Sequence, residues 1–184
     1  VSLVAPVRPP ALPPDSTHVP PVSLETLADI AAGLGRARDL WASLLDVGSS
    51  ARGGIRLVAT DAYEAWLLAW PPGSSVDPHD HGESHGAFAV VDGELIEVRW
   101  AGSARHSRWV GARELVTFGV GIVHDVVATG RDPALSIHVY SPPLVEMRFF
   151  SDDARRVLGV ERVDPEPALL ESAAPASSNA ARLG

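Results

Sequence analysis

The chain has 184 residues, 46% of them hydrophobic, enough for one domain with a buried core. Its net charge is −8 with a pI of about 5.3, and the acidic residues are scattered, so neither nucleic acid nor an anionic membrane is the expected partner. Cysteine is absent, which excludes disulfides, zinc–thiolate sites and a cysteine nucleophile.

All fifteen basic residues are Arg, which reads as a coding bias rather than a mechanism. No charged-then-apolar leader and no bilayer-length apolar run occur, so a cytoplasmic protein is expected. Residues 1–22 carry seven prolines and read as an extended arm. Ser23 is a suitable N-cap for a helix with Leu24, Leu27, Ala28, Ala31 and Leu34 on one face. Gly33 and Gly35 weaken it. A second short helix, with Leu40, Trp41, Leu44 and Leu45, is expected to run to about Asp46, with Trp41 as a packing residue. From residue 55 the pattern changes to short strands punctuated by Gly, Pro and Asp. Strands are expected at Ile55–Ala59, Ala62–Trp70, just before the histidine stretch, Ala87–Val91, Glu94–Trp100, Arg108–Val110, Glu114–Phe118, Val120–Val127, Leu135–Tyr140 and Val145–Phe150. Ala62–Trp70 is too apolar for an edge, and Trp66 and Trp70 read as core. Asp92-Gly93 predicts a two-residue hairpin. Beyond about residue 164, Asp-Pro-Glu-Pro and an Ala/Ser-rich run read as a disordered tail. The reading is mostly β: one domain over 23–163, with a helical front at 23–46 and a small barrel or sandwich at 55–150.

The chemistry concentrates in Asp77-Pro-His-Asp-His-Gly-Glu-Ser-His-Gly86. His79 and His81 are two residues apart, so in extended chain their imidazoles share a face and can converge on one metal ion. Pro78 holds Asp77 extended, and Gly82 allows a bend after the pair. Five residues separate Gly73 from His79, and Gly93 follows after a turn. This frame resembles the first motif of the cupins, whose glutamate would fall at His85 or Gly86; Glu83 comes too early. His85 has the ligands' parity but lies beyond the bend, which makes it a substrate-binding residue of the pocket wall, or a group backing the ligands, rather than a ligand. His18 and His106 read as solvated surface groups.

Gly121-Ile-Val-His124 resembles part of the second cupin motif and adds His124 as a third ligand. Gly119 and Ala128 stand where that motif usually has Pro and Asn. Three histidines without a carboxylate leave a divalent ion its full charge and open positions, which suits an anionic ligand such as a thiolate beside dioxygen. Further on, Ser136, His138 and Tyr140 alternate along a strand and share a face. Alone, that row reads as the polar outside of a barrel strand. It can also pass a hydrogen bond along the strand and orient the phenol.

Ser-x-His-x-Tyr-Ser-Pro-Pro after a three-histidine cupin frame is similar to the thiol dioxygenase branch of the cupins, and specifically to cysteine dioxygenase of the bacterial type. The resemblance covers roughly residues 55–150. It implies a small cupin barrel holding one Fe(II) on His79, His81 and His124, and oxidation of L-cysteine by O2 to cysteine sulfinic acid. It places Ser136, His138 and Tyr140 in the catalytic row and an early-strand Arg on the substrate carboxylate, best matched by Arg56, with Arg52 close enough to compete. It implies a cis Ser141-Pro142 bond. Mammalian members carry, where this chain has Gly86, a Cys that crosslinks to the Tyr; a thiol placed at 86 is expected to lie beside Tyr140. Tyr140, with a phenol pKa near ~10, would donate a hydrogen bond to the reacting oxygen or to the carboxylate. The partners expected are a small thiol and O2, with no nucleic acid and no membrane, and the chain is read as a monomer. A 3-mercaptopropionate dioxygenase and a metal-holding cupin that only binds or senses are the alternatives.

Overall fold

The structure, a computed structural model, describes residues 19–45, 53–102 and 104–163. The proline-rich residues before 19, the expected tail after 163, His18, Asp46 and Arg52 lie outside them. Ser23 caps the helix α1, Leu24–Arg36, and its Oγ accepts from Thr26 N at 3.2 Å. The second helix predicted from the sequence is two short 3-10 turns, Arg38–Leu40 and Ala42–Leu44. Trp41 between them is buried, and its indole N–H donates to the Leu34 carbonyl at 2.8 Å. That bond folds the turns back on α1 instead of letting a helix continue.

Eleven strands follow among the described residues: β1 (Gly53–Ala59), β2 (Glu64–Trp70), β3 (Ser75–Asp80), β4 (His85–Asp92), β5 (Glu94–Ala101), β6 (Ala104–Gly111), β7 (Leu115–Phe118), β8 (His124–Val127), β9 (Ala134–Ser141), β10 (Glu146–Phe150) and β11 (Val157–Arg162). They form two antiparallel sheets, ordered β1-β2-β9-β4-β7 and β11-β10-β3-β8-β5-β6. The sheets face each other across a core of Trp66, Trp70, Phe88, Phe118, Leu95 and Val126, with Tyr140 and Leu144 at its side. Strand alternation sends the other residues of β2, β4 and β9 outward: Ala65, Leu67, Ala87, Ala89, Ile137 and Val139. Three alanines keep that outer face shallow, and α1 covers it with Leu27, Ala28 and Ala31.

Four expectations change. Asp92-Gly93 does not make a hairpin, because β4 and β5 belong to different sheets. Gly93 has φ 70°, and a Cβ there would meet Ala134 Cα at 2.9 Å; the glycine turns a corner from one sheet to the other. The strand read over Val120–Val127 begins only at His124, since Gly119–Val123 is a turn around Gly121 at φ 69°. Strand β6 runs well beyond Arg108–Val110, being a polar, exposed edge with little apolar signal. Strand β11, also an exposed edge, was not predicted, and it extends the sheet beyond residue 150. The Ser141-Pro142 bond is cis.

Candidate metal centre

His79 and His124 face each other across the β3–β8 ladder. A register shift between Val76 and His79 makes this possible. Val76 and His79 are three apart, and a regular strand would send them to opposite faces. The irregularity puts both inside, opposite Val126 and His124. His81 follows just after β3. Between the two ligands Asp80 points outward into a bidentate pair with Arg148, at 2.8 Å to Oδ1 and 2.6 Å to Oδ2, and its Oδ1 accepts from Gly82 N at 3.2 Å. Asp80 thereby pins the bend that aims His81 inward.

One ring nitrogen from each of His79, His81 and His124 lies within 4.8 Å of the other two, and all three residues are buried. Second partners set which nitrogen is presented. His79 Nδ1–H donates to the Asp77 carbonyl at 2.8 Å, and His124 Nδ1–H donates to Glu97 Oε1 at 2.9 Å. Both Nε2 lone pairs are thus the ones offered to an ion. His124 Nε2 is buried and has no hydrogen-bond partner among the described residues. Burial, and then the neighbouring His79, His124 and His138, hold the His81 pKa well below its ordinary value. Its imidazole is therefore neutral at pH 7, as metal ligation requires. An orphaned, buried acceptor facing two further imidazoles fits a divalent cation and would otherwise cost desolvation energy without return. The cluster includes no carboxylate among the described residues. Glu83, which comes too early for the motif's glutamate, is exposed.

Glu97 is the site residue that sequence reading missed. It is buried on β5, with Oε1 accepting from His124 and Arg99 Nε and Oε2 from Arg108 Nε, the last at 2.8 Å. Burial raises its pKa, but the His124 and Arg99 contacts outweigh that and hold it at about 2. A glutamate in the strand Glu94–Ala101 between apolar Ile96 and Val98 was the available signal. Phe118 was missed too. Its ring stacks on His81, with centroids 4.7 Å apart and planes 27° apart.

Ser136, His138 and Tyr140 share the inner face of β9, as their alternation implied. Trp70 Nε1 donates to Ser136 Oγ at 2.8 Å, Ser136 Oγ lies 2.9 Å from His138 Nε2, and Tyr140 Oη lies 3.3 Å from His138 Nδ1. Phe88 stacks on the His138 ring at 4.8 Å and 8°. The Tyr140 ring is 4.9 Å from that of His81, so the row ends against the metal cluster from the opposite sheet. Arg56 stands opposite Trp66 and thus on the inner face of its sheet. Its guanidinium carbon is 5.7 Å from the Trp66 ring centroid, and its NH1 is 3.7 Å from Glu64 Oε2. Arg56 and Glu64 line a cleft of about 290 Å³ beside Pro143.

One placement is corrected. His85 is not a pocket-wall residue: it points away from the barrel interior, and its Nε2–H donates to the Val22 carbonyl at 2.6 Å, tying the chain before α1 to β4. The Gly82 bend resets parity, so Gly86 and not His85 faces the interior. Gly86 is the cross-strand partner of Tyr140 and shares its face, as expected, but the position leaves no room for a side chain. A Cβ there would overlap the Val139 carbonyl oxygen and approach Phe118 Cζ to 2.6 Å. The Phe118 ring occupies that space. His106 is exposed, as expected, although on β6 rather than in a loop.

Two facing antiparallel sheets with a three-histidine candidate metal site between them define a cupin. Within that superfamily the chain belongs to the cysteine dioxygenase type I family, whose sequence model matches residues 22–153, well over half of its length. Thiol dioxygenase chemistry is what that family brings. The solved structures it is similar to include TT1209 from Thermus thermophilus, at 19% identity over 55% of this chain and 93% of that one, TM-score 0.49. Another is recombinant oxalate oxidase in complex with glycolate, at 20% identity over 56% of this chain and 57% of that one, TM-score 0.49. A third is an uncharacterized conserved protein with a double-stranded beta-helix domain from Klebsiella pneumoniae subsp. pneumoniae, at 17% identity over 55% and 85%, TM-score 0.48. The chain thus spans little more than half of the oxalate oxidase. No helix among the described residues is long and apolar enough to cross a membrane.

Proposed function

We propose that this protein is an Fe(II)-dependent thiol dioxygenase that converts L-cysteine and O2 to cysteine sulfinic acid. The observation that carries the reading is the buried trio His79, His81 and His124, with no carboxylate in the cluster among the described residues and the Tyr140 ring against it. The reaction balances as R–SH + O2 → R–SO2H: both oxygen atoms bond to sulfur, which supplies the electrons, and the O–O bond breaks.

When bound, Fe(II) supplies a Lewis-acidic, redox-active centre that favours the thiolate over a thiol of pKa about 8.5 and brings sulfur and O2 together. The chain's own residues do the rest. Arg56 offers the carboxylate a planar fork of donors, which Lys would reproduce poorly. Its NH1 lies 3.7 Å from Glu64 Oε2, at the cleft the two residues line. Tyr140 offers a phenolic hydrogen at the edge of the cluster. Phe118 and Phe149, with centroids 4.7 Å from His81 and 6.0 Å from His79, exclude water from the histidine rings.

The test is oxygen-electrode turnover of iron-loaded protein with cysteine, 3-mercaptopropionate and cysteamine, with the product identified by mass spectrometry. One sulfinate per O2, fastest with cysteine, is expected. Preference for 3-mercaptopropionate would reassign the substrate. Tight iron binding with no oxygen uptake from any thiol would leave a metal-holding cupin that only binds.

A further inference from the structure

The row Ser136–His138–Tyr140 has a fourth member, and that member gives the row a direction. Trp70 Nε1–H can only donate, and it donates to Ser136 Oγ at 2.8 Å. Ser136 is fully buried. The hydroxyl oxygen already receives a proton from Trp70, so its own hydrogen needs an acceptor. His138 Nε2, at 2.9 Å, is the acceptor that the described residues provide. A buried hydroxyl hydrogen left without one would cost a full desolvation penalty. His138 Nε2 therefore carries the lone pair and Nδ1 carries the proton. At 3.3 Å, Nδ1–H then donates to Tyr140 Oη, whose own hydrogen must point away from His138. The near-parallel Phe88 ring, 8° from the plane of His138, packs against the face of the imidazole.

We infer that Trp70 is a positioning residue that sets the proton polarity of this row, so that Tyr140 presents its phenolic hydrogen to the metal cluster as a donor. Without the indole N–H, Ser136 can accept from His138 Nε2–H instead. The polarity then reverses, and the Tyr140 hydrogen turns back to His138 Nδ1. The inference adds a member to the site of the proposed function and rests on that reading only for its effect on turnover.

The polarity is read directly from the His138 tautomer, by long-range 1H–15N correlation on the 15N-labelled full chain loaded with diamagnetic zinc. Wild type is expected in the Nδ1–H form, the opposite of the preference of free imidazole. An Nε2–H wild-type spectrum overturns the inference, and needs no variant to fold. Trp70→Phe keeps the ring and deletes the donor; it should shift His138 toward Nε2–H and lower kcat about three- to tenfold with KM held. Ser136→Ala should also release the Nδ1–H form, and it carries the test if Trp70→Phe does not fold. A His138 spectrum unchanged in a folded variant overturns the role of Trp70. If the tautomers behave as stated and no thiol is oxidised, the polarity stands and the proposed function fails.

Discussion

Glu97 controls His124 from behind. Its Oε1 holds the Nδ1–H of His124, while Arg99 and Arg108 donate to the carboxylate and hold it in place. Such a backing group fixes the ring's tautomer and raises its basicity toward a metal. Glu97→Gln keeps the shape and removes the charge. It is expected to weaken iron or zinc affinity about 10- to 100-fold without unfolding, as read by competition with a chelator. Unchanged affinity would reduce Glu97 to a partner of the two arginines. At Gly86 the relevant quantity is space. Because a Cβ there meets the Val139 backbone and the Phe118 ring, Gly86→Cys is expected to lose about 1–3 kcal/mol in urea denaturation, the usual cost of overpacking. Peptide mapping after incubation with iron, cysteine and air should show no link between residues 86 and 140. A stable, crosslinked variant would show that β9 and Phe118 yield.

The helix α1 and the sheet β1-β2-β9-β4-β7 form a second core on the side remote from the three histidines. Leu27 is fully buried against the alanine-lined outer face, so its removal leaves a cavity that flanking backbone cannot fill. Leu27→Ala is expected to cost about 2–5 kcal/mol of stability, with the metal stoichiometry of the folded protein unchanged. Loss of metal in the folded fraction would mean that the outer layer positions the inner one more tightly than the packing indicates. Strand β9 couples the two layers. Ile137 and Val139 face α1, while Ser136, His138 and Tyr140 face the centre, and the period of two in the sequence assigns both sets at once.

For the whole molecule, metal and pH act through the same histidines. The lowered pKa of His81 means that the unfolded chain binds a proton there more readily than the folded one does. Stability of the metal-free protein is therefore expected to fall as pH drops from about 6.5 toward the lower folded value. Glu97, lowered from 4.5 to about 2, adds a second loss between those two values. A pH series of urea midpoints without metal checks both windows, and a flat profile from pH 7 to 5 would remove His81 from the account. Saturating iron or zinc should raise the melting temperature, corresponding to ~2.7 kcal/mol at a hundredfold excess over Kd, and His79→Ala, His81→Ala or His124→Ala should each abolish the rise. What the sequence by itself determined was local and periodic: the Ser23 cap, the alternation in β9, the His79-x-His81 pair and the Ser-His-Tyr row. Each of these needs only the geometry of a helix or a strand. Tertiary structure decided whatever depends on which strands become neighbours. Asp92-Gly93 turns a corner because β5 finds β8 rather than β4, and the β3 irregularity, not simple alternation, brings His79 inside opposite His124. Glu97 reaches His124 because β5 lies beside β8, twenty-seven residues apart in the chain, and Trp70 reaches Ser136 across sixty-six. No local spacing encodes such partners, because a buried polar group is satisfied by whatever the packed sheets place within hydrogen-bond distance.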